Sequence, residues 1–355
     1  MRNLFFLGVL FVVVSCKKVS IPDVFLEKIK GKVAVEQEFT GYILGVDGEN
    51  LFIGHDTGAV LVDHYVADGD TFVFSENLVR RGNGPFDLLM PSFAVSSGYY
   101  SFCDFTLNNK TLRLPKDSLD SKVKAFVWEA SRLPVEAGRR SSFVKDAYAW
   151  IDDNRLICLA APIGSDNILN VVDIQEEKSY PCSFWFDDDY KGDDKVKQGI
   201  YIMYAKITKH PSEDIFVYAC GHGEYLEVFE LDTDYKPKNR KVILERKPQY
   251  ESTDGMNYTI KKSDRHNSQG IKSIAVTEKY LYVMSERVED GSGTYKGYSP
   301  NHNDIFQVFD WEGNHIKNIE LELPCWDLAW DAANNLLYTI TEAGDSNIVM
   351  RYQLE

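Results

Sequence analysis

Two groups of residues in this chain have types and spacing that could do chemistry. The first is the acidic run Asp187-Asp188-Asp189-Tyr190-Lys191-Gly192-Asp193-Asp194, whose carboxylates suit a hard cation such as calcium. Against the twelve-position calcium loop of an EF-hand, Lys191 takes the fifth place and Gln198 the twelfth, where a carboxylate is needed. The run therefore reads as a solvated acidic loop, with a calcium site as the alternative. The second group is His55, His222, His266 and His302, which would make an acid–base or metal cluster only if the fold brought them together. Near them stand Tyr190, Tyr258, Tyr295 and Tyr298, with Trp185 and Tyr250, aromatics suited to stacking on sugars or to a protein interface. There is no GxSxG elbow, HExxH pair or Walker loop, and Gly221-His222-Gly223 lacks the third glycine of a dinucleotide fingerprint. No residue is assigned a catalytic role.

What must position these residues is a repeat. An apolar, aromatic-rich strand pattern restarts six times, at Leu51, Tyr99, Leu156, Ile215, Tyr280 and Leu336, with spacings of 48 to 65 residues. Four strand-length runs of period-two alternation fill each unit, the pattern of an all-β, six-bladed β-propeller with four-stranded antiparallel blades. Lettered A to D from the channel outward, the innermost runs begin at Gly41, Ser92, Val144, Met203, Ile271 and Trp326. The sixth unit ends after Ile348–Glu355 and lacks a fourth strand. Lys32–Phe39 has the right alternation and precedes the first blade, so it is expected to close the ring beside the C-terminal strand. Residues 32–355 then form one propeller domain.

The A-to-B and C-to-D turns are short and polar, whereas the long segments are D-to-A and B-to-C links. They include Arg80–Pro91, Phe186–Gly199, Lys247–Gly270 and Val288–Asn303. In a four-stranded meander those two link types emerge at the same end, so the insertions crowd one mouth of the channel. Loops gathered on a rigid scaffold are where function concentrates. The candidate ligand face is thus Arg80, Arg81, Asn83, Tyr190, His222, Tyr258, His266, Tyr295, Tyr298 and His302.

The N-terminus reads as an export signal: Arg2, then an eleven-residue apolar run from Leu4 to Val14, too short to span a bilayer as a helix. The run ends in Val14-Ser15-Cys16, small residues before a cysteine, which resembles the bacterial lipobox. Residues 1–15 would be the signal peptide, Cys16 the lipidated residue and 16–31 the anchor linker, holding the protein at a membrane by its acyl chains. An ordinary secretory signal is the alternative. Cleavage removes only Arg2 from a net charge of −15, and so acidic a chain is a poor nucleic-acid binder. The same acidity favours a soluble monomer. The remaining cysteines, Cys103, Cys158, Cys182, Cys220 and Cys325, are odd in number and show no zinc spacing, so they read as small buried apolar residues, with a disulfide framework as the alternative.

Arg80-Arg81-Gly82-Asn83-Gly84-Pro85-Phe86-Asp87 resembles the R-G-x-G-P-x-E link of the TolB-like six-bladed propeller lipoproteins common in Bacteroidetes. Asp87 stands near that family's glutamate, and Phe86 replaces the glycine before it. The two glycines are expected to supply backbone angles closed to other residues, and Pro85 to stiffen the turn. The resemblance implies fold and envelope localisation rather than a reaction. Lys17-Lys18 replace the acidic stretch associated with surface export in related lipoproteins, which implies the periplasmic face of the outer membrane, with surface exposure as the alternative. Two functions from different classes remain. One is a non-enzymatic binding propeller for a glycan, peptide or envelope protein. The other is a hydrolase or lyase resembling the calcium-dependent six-bladed lactonases. Those place Glu, Asn and Asp ligands at the channel-mouth ends of inner strands. Here only Lys145, Asp146, Lys206, Lys272 and Asp327 bring charge there, a mixed set without a ligand ring, which favours binding and no resident cofactor.

Overall fold

Leu51, Phe52 and Ile53 of the first blade are consecutive and all fully buried, which an isolated sheet with one wet face would not allow. Period-two alternation resolves the puzzle. Leu51 and Ile53 pack toward blade six, with Tyr338 and Ile340, while Phe52 packs toward blade two, with Phe93 and Tyr100. The same division recurs around the ring. Leu156 and Cys158 face blade two and Ile157 faces blade four. Phe216 and Tyr218 face blade three, and Val217 and Ala219 face blade five. Each of six apolar clusters fills one of six interfaces between neighbouring blades.

The structure, a computed structural model, describes residues 26–39, 41–105, 109–119, 128–134, 138–140, 146–253, 258–260, 270–285, 303–343 and 346–354. Strands A to D of blade one are Tyr42–Asp47, Asn50–Gly54, Val60–Asp68 and Thr71–Arg81. Those of blade two are Ser92–Val95, Tyr99–Asp104, Lys110–Pro115 and Glu129–Arg132. Blade three has Tyr148–Trp150, Arg155–Cys158, Asn170–Asp173 and Lys178–Pro181. Blade four has Lys206–Lys209, Ile215–Ala219, Tyr225–Leu231 and Pro237–Glu245. Blade five has Ile271–Val276, Tyr280–Ser285, Asn303–Asp310 and His315–Cys325. Blade six has Asp327–Asp331, Leu336–Ala343 and Ser346–Gln353, completed by Lys32–Phe39, which pairs antiparallel with Ser346–Gln353. The chain is therefore an all-β six-bladed propeller closed by its N-terminal strand, and its innermost strands touch in sequence around the ring.

Three features depart from the sequence expectation or add to it. Leu26–Ile29, expected within the linker 16–31, adds a parallel fifth strand to blade five, braced by Lys28–Glu320 and Glu27–Lys317 ion pairs. The fourth strand of blade three stops at Pro181, because Ser183 turns the backbone to φ 54° and sends Phe184 and Phe186 into the core. The link after Phe186 carries a helix, Asp194–Ile202, and the link after Lys247 carries a hairpin of Tyr250–Ser252 with Tyr258–Ile260. The five cysteines of the propeller are free and buried, as their spacing suggested, and burial pushes Cys103 and Cys182 up to about 12. Among the described residues, no helix is long and apolar enough to cross a membrane.

Closure is the part of the fold most exposed to a single change. Val35 is fully buried between blades six and one, whereas Val33 on the same strand is exposed. Val35→Asp is expected to cost about 3 kcal/mol or more, because it buries a charge in an apolar interface. Val33→Asp should stay within about 0.5 kcal/mol. Urea denaturation of both variants checks the contrast, and equal effects would remove the closing role of this strand.

Candidate functional site

The link Arg80–Pro91 is built as a brace. The Arg81 guanidinium donates to the carbonyls of His55, Asp56, Gly58 and Leu89, tying this link to the B-to-C link of blade one. The Asp87 carboxylate accepts from the Gly84 N–H at 3.0 Å, and Lys110 Nζ donates to the carbonyls of Gly84 and Asp87. Asp104, fully buried at the end of its strand, accepts from the N–H groups of Leu89 and Met90. Arg81 is thus occupied by structure, while Arg80 and Asn83 remain exposed. The reason for the glycines also changes. Neither Gly82 nor Gly84 has a positive φ. A Cβ at either would instead lie 2.5 or 2.6 Å from Asp87 Oδ2. The motif reserves space for a carboxylate.

Most of the acidic run is exposed, as a solvated loop requires, but Asp188 and Asp193 also have structural roles. Asp193 caps helix Asp194–Ile202, accepting from the Lys195 N–H at 2.8 Å, and Asp194 occupies the first turn, where negative charge suits the helix dipole. Asp188 is 5% exposed and accepts from Tyr201 and Tyr250 hydroxyls at 3.0 and 2.8 Å. Lys197, itself 9% exposed, pairs with it at 3.2 Å and lies over the Trp185 ring. Burial, then the Asp188 charge, raises the Tyr201 hydroxyl well above its ordinary range. Tyr190 packs against buried Tyr250, with ring centroids 4.6 Å apart and planes tilted by 33°. These aromatics therefore pack beneath their own links and hold the helix to the hairpin.

Several charged side chains stand near the ends of the inner strands. On the side of blades six and one, Asp327 accepts from the Leu328 N–H and the Ser273 hydroxyl. Tyr42 is raised there by burial first and then by Asp56 and Asp327. On the side of blades four and five, two of the described lysines, Lys206 and Lys272, act on His222. Lys206, buried at the start of its strand, donates to the Tyr204 and Ile271 carbonyls at 3.0 and 3.2 Å, which fixes its ammonium in place. His222 lies against the Tyr204 ring, centroids 5.4 Å apart and planes at 83°. Burial, then the charges of Lys272 and Lys206, lower His222 to about 4, so its imidazole is neutral near pH 7. Tyr204 is 46% exposed and sits at φ 59°.

Glycine makes this arrangement sterically possible. Gly270, at φ 67°, packs directly on the Gly221 carbonyl, and a Cβ at Gly221 would lie 2.5 Å from the Tyr204 backbone. The Gly221-His222-Gly223 segment is thus a close-packed corner that presents one imidazole. His55, by contrast, pairs with Asp63 at 2.8 Å near blade one. His222 and His55 occupy separate parts of the face.

The structure therefore gathers His222 with Lys206, Lys272 and Tyr204. The two lysines were visible as charges in inner strands, but Tyr204 carried no signal. A signal for the group did exist: lysines near the starts of two successive inner strands, with a histidine between glycines in the intervening link. The side chain of Tyr258, and all of Cys16, Lys145, His266, Tyr295, Tyr298 and His302, lie outside the described residues. On the opposite end of the ring, a cleft of about 400 Å³ lies at the seam of blades six and one, lined by Glu49, Asp70, Asn334 and Arg351 among others. Asp70 there pairs with Arg351 at 2.7 Å, away from the long links.

Comparison with known proteins supports the architecture. A family model described as TolB-like 6-blade propeller-like matches residues 201–331, from the end of the helix to the first strand of blade six. No curated protein matches the chain by sequence. A solved structure of a member of the duf4221 family from Bacteroides vulgatus is 12% identical with a TM-score of 0.58, covering 93% of this chain and 97% of that one. The Cps50 (Swd1) β-propeller domain of Myceliophteria thermophila is also 12% identical, with a TM-score of 0.46, 92% of this chain and 99% of that chain being covered.

Two outcomes test this geometry. Gly82→Ala should destabilise the protein by about 1–2 kcal/mol through its clash with Asp87. If the carboxylate is the cause, the change should cost much less in an Asp87→Ala background, as a double-mutant cycle would show. His222 has a folded value of about 4 against an unfolded value near 6.5. The unfolded chain therefore binds the extra proton between those values, and stability should fall as pH drops from 6.5 to 4. His222→Gln should flatten that part of the stability profile. An unchanged profile would mean that His222 titrates normally.

Proposed function

We propose that this protein is a non-enzymatic binding propeller tethered to the cell envelope through a lipid on Cys16. It presents its long-link face to a glycan, peptide or partner protein, and the tether holds it at the outer membrane on the periplasmic side. One observation carries the reading. On the long-link face His222 and the exposed Tyr204 stand together, with the Lys206 ammonium bonded to the Tyr204 carbonyl. An aromatic ring with fixed charges nearby is the composition of a recognition site, where stacking supplies contact area and the charges supply orientation. The TolB-like match over residues 201–331 includes this part of the ring.

The test is capture on glycan and peptide arrays by the purified chain, with and without calcium. Captured ligands should be lost in a Tyr204→Ala, His222→Ala variant and retained in an Arg351→Ala variant on the opposite end. Capture indifferent to the first variant would move the site off this face. Turnover of a lactone or glycoside, abolished by chelation, would replace the binding reading with the calcium-dependent enzyme. Cys16→Ala should release the protein from membranes in fractionation, and continued binding would place the anchor elsewhere.

A further inference from the structure

We infer that Asn83 is a site of spontaneous covalent modification, by deamidation, and that the Asp87 carboxylate restrains the reaction by holding the amide nitrogen that would carry it out. The inference concerns the chemistry of the link between blades one and two and stands apart from what the long-link face binds.

The sequence supplies the reactants. Asn83-Gly84 is the one Asn-Gly pair in the chain, and Asn83 is exposed to water. In such a pair the backbone nitrogen after the asparagine attacks the side-chain carbonyl. Glycine offers that nitrogen with no side chain in the way. A bond forms from Gly84 N to Asn83 Cγ, and the bond from Cγ to the side-chain nitrogen breaks. The Gly84 amide proton leaves with that nitrogen as ammonia. Water then opens the five-membered imide at either of its two carbonyls. One opening leaves aspartate and the other isoaspartate, whose main chain is one carbon longer.

The structure supplies the restraint. The Gly84 N–H, whose nitrogen must turn onto Cγ, donates instead to Asp87 Oδ2 at 3.0 Å. A hydrogen bond to a carboxylate is roughly twice as strong as one to a neutral acceptor. The Gly84 carbonyl is held as well, accepting from Lys110 Nζ at 2.6 Å and from the Asp87 N–H at 3.2 Å. The loop is pinned at its base, where Arg80–Arg81 pairs with Asp87–Leu88 and the Gly82 N–H donates to the Leu88 carbonyl. Asp87 Oδ2 lies close over both glycines, in space that a Cβ at Gly82 or Gly84 would fill. Attack therefore requires the Gly84 amide to leave its carboxylate and the loop to open locally, at the cost of the bonds broken.

Conversion would damage the link that permits it. Aspartate at position 83 adds a carboxylate to a loop already folded around Asp87. Isoaspartate lengthens a loop whose two ends are fixed by strand pairing. Asp87 thus has a second task besides bracing: it sets how long the brace lasts.

The experiment incubates the full-length chain in mildly alkaline buffer and follows conversion at Asn83 by peptide mass spectrometry. The folded wild type should convert at least tenfold more slowly than the same chain unfolded in urea. Asp87→Ala, its fold checked by melting temperature, should convert at least fivefold faster than the wild type. Arg81→Met frees the link from the carbonyls of His55, Asp56, Gly58 and Leu89 but leaves the Gly84 bond in place, so its rate should stay within about twofold of the wild type. Equal rates in the folded and unfolded wild type overturn the restraint, and no conversion of Asn83 in urea removes the site itself. Asp87→Ala no faster than the wild type, or Arg81→Met as fast as Asp87→Ala, assigns the protection to something other than the Asp87–Gly84 bond and also overturns the inference. Should Asp87→Ala fail to fold, amide exchange of the wild type decides. The Gly84 N–H should then exchange at least tenfold more slowly than the N–H of exposed Asn83, and equal rates overturn the inference.

Discussion

Every blade of this protein has two apolar faces, and that constraint organises the rest. A sheet buried on one side can end in water, but a sheet whose second strand reads Leu51-Phe52-Ile53 needs a neighbour on each side. A linear stack of such sheets would leave two apolar ends needing polar caps. A ring removes the ends. Six interfaces then serve six blades, and the N-terminal strand Lys32–Phe39 joins the two ends of the chain within one sheet. Closure is thus a requirement of the core composition, and the packing of Val35 against blade one is where it is met.

A core spent wholly on the interfaces leaves polar chemistry to strand ends and links. Much of that polarity is structural. Arg81 gathers four carbonyls, Asp104 receives two N–H groups, and Asp188 joins two tyrosines and a lysine. Each satisfies groups that long links would otherwise leave unpaired at the channel mouth, where an unmade hydrogen bond is expensive. Bracing of this kind ties the described parts of the links Arg80–Pro91 and Phe186–Gly199 to the scaffold. His222 is therefore held by backbone contacts among Gly221, Gly270 and Tyr204 rather than by a mobile loop.

The sequence by itself determined the blades. Period-two alternation decides which residues of a strand point to which neighbour, and that depends only on local order, so six blades and the closing strand were legible without coordinates. The free, buried cysteines were legible for a similar reason, since their odd count and missing metal spacing spoke against pairing or ligation. Tertiary structure decided what the polar residues do, because their partners come from other parts of the chain. Asp188 read as one of a row of solvated acids until Tyr201, Tyr250 and Lys197 closed on it from three places. Gly82 and Gly84 read as sites of unusual backbone angles, but what they provide is room for the Asp87 carboxylate. Leu26–Ile29 found a partner only at Asn318–Leu321, nearly the whole chain away. The meeting of Lys206, His222, Lys272 and Tyr204 has the same origin. Local spacing can place a residue near a strand end, but only the closed ring sets which strand ends stand next to one another.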